Sequence, residues 1–126
     1  MIPPPPMSAL IVDAAPELRR LIAVVLERAG MDVAVAGDAE SGLVLARSLR
    51  PTVAVFGLML PGMDGVAACR RLRTFSRART LLLTARPPAG ILPAEVDDWM
   101  PKPFGTGELV DRVTALVRRP LVAPAA

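Results

Sequence analysis

The chain has 126 residues, a formal charge of +3, and 52% hydrophobic residues against 3% aromatic. That is enough for one domain with an aliphatic core of Val, Leu, Ile and Ala, and too apolar for a disordered chain. With no histidine and a single cysteine, Cys69, an internal disulfide, a Cys/His zinc site and Ser-His-Asp or Cys-His catalysis are excluded.

Residues 1–7, MIPPPPM, read as an extended, disordered Pro-rich lead-in. They lack the charged and apolar regions of a secretory signal. From Ser8 onward, strand and helix patterns alternate. Ala9 to Val12 is an apolar run, read as a buried strand. Pro16 suits the first turn of a helix, where its missing N–H costs nothing. Leu18, Leu21, Ile22, Val25 and Leu26 follow at helical spacing and are expected to face the core, with Arg19, Arg20 and Arg28 outward. Gly30 suits the end of that helix. Val33 to Val35 reads as a second strand, and Asp38 as the N-cap of a helix to about Ser48. Pro51 breaks that helix, and Val53 to Phe56 form a third strand.

Asp64 is expected to cap a third helix, reaching about Arg73. Cys69 on that helix reads as a packed small apolar residue. Arg70, Arg71, Arg73, Arg77 and Arg79 form the densest basic patch, read as a solvated helix face and loop. A nucleic-acid footprint would want a larger basic excess and interleaved aromatics. Thr80 to Thr84 form a fourth strand. The next segment, RPPAGILPAEVDD, carries Pro87, Pro88, Gly90 and Pro93 and opposes a regular helix, leaving one or two turns from about Pro93 at most. Asp97 and Asp98 read as solvated. Trp99 and Met100 fit a short fifth strand. A last helix starts at Gly105 or Thr106 and buries Leu109, Val110, Val113, Leu116 and Val117, until Pro120 stops it. Residues 120–126 read as a tail or the start of a linker, and residues 8–119 as the domain.

Strands alternating with helices imply an α/β fold with a doubly wound parallel sheet, and continuous apolar strands agree. Sites in such folds lie beyond the carboxyl ends of the strands. Those ends carry Asp13 and Ala14, Gly57, Thr84 and Lys102. No apolar run approaches the roughly 18 residues of a membrane span, so a cytoplasmic protein without a membrane partner is expected.

Four stretches, IVDAAPELRRLI, LMLPGMDGVAACRRLR, LLLTAR and KPFGTGELVDRVTALVRR, resemble the receiver domain of bacterial two-component response regulators. The resemblance covers about residues 8–119. It implies a flavodoxin-like five-stranded sheet in the order 2-1-3-4-5. It also implies phosphoryl transfer to an aspartate at the end of the third strand. Two acids after the first strand help hold Mg²⁺, and a Thr or Ser and a Lys-Pro stabilise the transferred group. Asp13 matches the first acid, Thr84 the hydroxyl and Lys102 the lysine. The resemblance further implies a cis peptide before Pro103 and places Trp99 at the family's switch aromatic; core or interface packing is the plainer reading of Trp99, which would be an interface anchor if exposed. The second acid is replaced by Ala14 and the acceptor by Gly57. Lys102 also follows Thr84 by 18 positions, fewer than the family usually places there, so its fourth helix is expected to be short or irregular.

These departures lead to an expectation of a pseudo-receiver. Three carboxylates against one lysine become Asp13 against Lys102 alone, so the negative excess that draws in a cation is gone. No catalytic residue, metal site or cofactor is expected. Asp13 and Lys102 are expected to pair directly. The work expected is protein–protein contact, with another copy or a signalling protein. DNA contact would come only through a C-terminal domain beyond Ala126. Two alternatives stay open. One is a small-ligand or anion sensor in the room that Gly57 and Ala14 leave at the strand ends, beside Lys102 and Thr84. The other is a phosphoacceptor using Asp13 or Asp64.

Overall fold

The computed structural model describes residues 7–86 and 92–119. Residues 1–6 of the Pro-rich lead-in, the expected tail, and residues 87–91 lie outside the described residues; Met7, the last of the lead-in, is held, its carbonyl accepting from Asp32 N at 2.9 Å. Five parallel strands make one sheet: β1 (Ser8–Val12), β2 (Asp32–Ala36), β3 (Val53–Gly57), β4 (Arg79–Thr84) and β5 (Asp98–Pro101), in the order β2-β1-β3-β4-β5. Among the described residues, four helices connect or follow them: α1 (Pro16–Arg28), α2 (Ala39–Leu49), α3 (Gly65–Arg73) and α4 (Thr106–Arg118). The doubly wound parallel sheet is what the alternating pattern predicts, and the strand order is the one the family resemblance implies.

The sheet is buried on both faces because successive side chains point to opposite sides. Ala9, Ile11, Val53, Val55, Leu81, Leu83 and Met100 pack with Ile22 and Leu26 of α1 and with Leu109, Val113 and Leu116 of α4. Leu10, Val12, Ala54, Phe56 and Leu82 pack with Ala39, Leu43 and Ala46 of α2 and with Ala68, Cys69 and Leu72 of α3. Cys69 is thus a core residue, as its position predicts.

Local chemistry sets the helix ends. Asp38 accepts a hydrogen bond from Ser41 N at 2.8 Å, and Asp64 accepts one from Ala67 N at 2.8 Å, so both act as N-caps. After α1, Gly30 N donates to Glu27 O and Met31 N to Leu26 O. With Gly30 at φ 95°, this double closure is a Schellman turn.

The structure corrects four expectations. Leu21 points outward at 47% exposure, because it lies off the α1 stripe that carries Ile22 and Leu26. Arg19 is half-buried rather than free, since its guanidinium donates to Asp13 O at 2.7 Å. Arg73 and Arg79 of the basic patch are buried, 6% and 5% exposed. Asp97 is not solvated: beneath the β4–β5 crossover it accepts from Arg73 and Thr80 and forms an ion pair with Arg79. Asp98 is partly covered as well, by Arg112 at 3.1 Å. Among the described residues of that crossover, Leu92 to Asp97 contain a single turn, closed by Val96 N to Pro93 O, and no helix. Among the described residues, no helix is long and apolar enough to cross a membrane.

Candidate functional site

The carboxyl ends of β1, β3, β4 and β5 converge where the strand pattern predicts a site. Asp13 follows β1 and is 3% exposed. One carboxylate oxygen accepts from Ala15 N at 2.9 Å, and the other from Lys102 Nζ at 2.8 Å. The backbone of Asp13 is held too: its N–H donates to Ala36 O and its carbonyl accepts from Arg19. Lys102 is the one lysine of the chain. Its backbone N–H donates to Thr84 O at 2.8 Å, and the Lys102–Pro103 peptide is cis. The predicted Asp13–Lys102 pair is therefore present.

Gly57 ends β3 between these groups. A Cβ placed on it would lie 2.7 Å from Asp13 Oδ2. The space left by a missing side chain at Gly57 is thus occupied by the Asp13 carboxylate, while open room is found beside Lys102 and Thr84. Ala14 is exposed beside it. Thr84 is buried, and its hydroxyl donates to Arg86 O at 2.8 Å and accepts from Arg86 N at 3.2 Å. That hydroxyl is engaged within its own turn. Trp99 is half-buried on β5, opposite Leu82, and packs against the α2–α3 side of the core. Asp64 is exposed at the start of α3 and occupied as its cap.

The donor set does not fit a magnesium ion. Mg²⁺ takes an octahedral shell of hard oxygens, commonly with one or two carboxylates and a substrate phosphate. Here a single carboxylate reaches the site, and both of its oxygens already accept hydrogen bonds.

Between β3 and β4, a hollow of about 400 Å³ opens beside the pair, with Leu58, Met59, Leu83, Thr84, Arg86 and Lys102 among its walls. The residues that sequence reasoning missed lie one layer away. Asp97 Oδ2 accepts from Thr80 N at 2.9 Å and lies 3.3 Å from Arg73, while Oδ1 lies 3.5 Å from Arg79. The visible signal was two arginines ahead of an apolar strand, Arg73 ending α3 and Arg79 opening β4. Their shared partner is 18 and 24 positions further on, which only β4–β5 pairing brings near.

An open five-stranded sheet with an aspartate, a threonine and a cis Lys-Pro at its carboxyl edge defines a receiver-type α/β protein. The chain matches the response regulator receiver domain over residues 9–114 and belongs to that family. It is 41% identical over 114 residues to the DNA-binding response regulator MtrA of Mycolicibacterium smegmatis, an alignment spanning 87% of this chain and 50% of that protein. It is 39% identical to the transcriptional regulatory protein CseB of Streptomyces coelicolor, over 87% of this chain and 49% of that one. The chain therefore spans about half the length of the curated relatives it matches. Among solved structures it resembles the Francisella response regulator 1452 receiver domain, with a TM-score of 0.83, 28% identity, and 90% and 98% of the two chains covered. It also resembles the BeF3-activated receiver domain of Klebsiella pneumoniae RstA, with a TM-score of 0.81, 28% identity, and 89% and 99% covered.

Proposed function

We propose that this chain is a pseudo-receiver: a signalling module that acts without phosphorylation, through contact with a protein partner. The relatives named as DNA-binding and transcriptional regulators support a regulatory role beside a DNA-binding output domain. Any DNA contact would belong to that output domain. The observation that carries the reading is the Asp13–Lys102 pair at 2.8 Å, closed over Gly57. The lysine is held by an internal carboxylate rather than left for an incoming phosphoryl group. Position 57 offers no nucleophile, and Asp13 and Asp64 are each engaged elsewhere. We expect no enzymatic activity and no resident cofactor.

The test is intact mass after incubation with Mg²⁺ and a small-molecule phosphodonor. The native chain should gain nothing. An Ala14→Asp, Gly57→Asp variant restores both carboxylates and should gain one phosphoryl group. A phosphorylated native chain would overturn the reading.

A second reading rests on the hollow beside Lys102. Its largely apolar walls suit a small molecule better than a free anion, because an anion would have to displace Asp13 from the lysine. A rise in melting temperature with phosphate-like anions would instead favour an anion sensor.

A further inference from the structure

At the opposite end of the sheet, before β3 and β4, a second hollow of about 630 Å³ lies between the end of α2 and the loop that follows α3. Its walls include Arg47, Arg50, Thr52, Phe75, Ser76 and Arg77, and no carboxylate. None of these three arginines forms an ion pair among the described residues. Arg70 and Arg71 of the neighbouring α3 do, with Glu95 and Glu40.

One contact shows positioning, and one backbone conformation sets Arg50 apart. The Arg47 guanidinium carbon sits 4.0 Å from the centre of the Phe75 ring, a cation–π stack that holds it in place. Arg50 ends α2 in the left-handed conformation, at φ 48°. Glycine or asparagine is the usual occupant of that position, so backbone preference does not account for an arginine there.

The helix ends do not neutralise this charge. α2 and α3 both terminate at the hollow, and each C-terminus carries about half a negative charge. Against three guanidinium groups, roughly two positive charges remain uncompensated.

We propose that this hollow binds the phosphate groups of a small organic phosphate. Arg50 and Arg77 supply forked, permanently charged donors matched to phosphate oxygens. Ser76 Oγ accepts from Ala78 N at 3.0 Å, which leaves its own proton to donate. The volume lies within the range of about 300–1,000 Å³ typical of small-molecule sites. The three exposed arginines gather around one open hollow, which favours a small polyanion over a nucleic-acid strand, since the strand would want an extended basic strip.

The test is calorimetric titration of the whole chain with ADP, pyrophosphate and adenosine, without magnesium and at low salt. Both phosphate compounds should bind, and adenosine should not. Arg50→Gly and Arg77→Ala should each weaken pyrophosphate by about tenfold or more, the loss of a charged hydrogen bond. Glycine accepts the φ of position 50, so that variant removes the guanidinium without straining the turn. Arg20→Ala, an equal charge loss on exposed α1, should leave affinity nearly unchanged. Failure of both phosphate compounds to bind would overturn the proposal, as would binding insensitive to Arg50→Gly and Arg77→Ala. Tighter binding of a short DNA duplex than of pyrophosphate would overturn it in favour of a nucleic-acid surface.

Discussion

Asp13 stands where the resemblance to receiver domains implies a metal ligand, and in this fold it is buried and paired with Lys102. Its carboxylate is 4% exposed and pairs with a lysine that is 29% exposed. Removing the lysine leaves a buried charge with only the Ala15 N–H. Lys102→Ala should therefore lower stability by about 1–3 kcal/mol in urea unfolding, below the full cost of breaking a deeply buried pair because Lys102 is partly solvated. A double-mutant cycle with Asp13→Ala should show coupling, and additivity would mean that the pair contributes little. Gly57→Asp alone should also destabilise, by about 1–3 kcal/mol, since its Cβ would lie 2.7 Å from Asp13 Oδ2. Cys69 makes a third residue-level case. Burial pushes its thiol up to about 12. It should resist thiol reagents at pH 8 until the chain unfolds. The raised value also has a sign: the folded form keeps a proton that the unfolded form loses. Stability from this group is full below about pH 9 and falls as pH rises toward about 12.

Among the elements, the β3–α3 connection and the β4–β5 crossover carry the most constraint. Gly65 opens α3 so close to β3 that an added Cβ would meet Gly57 O and Leu82 Cδ1. Gly65→Ala should cost about 1–3 kcal/mol through overpacking. The more general loss of the cap in Asp64→Ala should cost about 1 kcal/mol. Beneath the crossover, Asp97 accepts from Arg73 and Thr80 and forms an ion pair with Arg79. Arg79 Nε is already buried without a partner among the described residues. Asp97→Ala would leave two buried guanidinium groups short of their anion. It should cost about 3–5 kcal/mol, read as a lowered urea midpoint. A cost under about 1 kcal/mol would mean that water reaches these groups and the network is peripheral.

At the scale of the whole molecule, the order of strands and helices was legible because two periodicities carry it. Apolar runs at Ala9–Val12, Val53–Phe56 and Thr80–Thr84 need burial on both faces, and amphipathic stripes such as Leu109, Val113 and Leu116 need one. Pro16, Asp38, Asp64 and Gly30 mark the ends through local backbone chemistry, which needs no distant partner. The absence of an aspartate at position 57 and of an acid at 14 was equally plain, since residue identity is the sequence itself. Other features depended on distance in space. Leu21 fits a helical stripe but lies on its margin, and only the packing angle of α1 decided that it faces solvent. Asp97 and Asp98 read as a polar loop until parallel pairing of β4 with β5 brought Arg73, Arg79 and Arg112 to them. The same holds for the two hollows, whose walls come from segments far apart in the chain. The sequence by itself determined the fold class and the chemistry missing from the strand ends, because both follow from local pattern and residue type. Only the tertiary structure decided that Asp13 fills the space beside Gly57 and that three arginines share one hollow, because those are distances between residues that the chain alone does not place together.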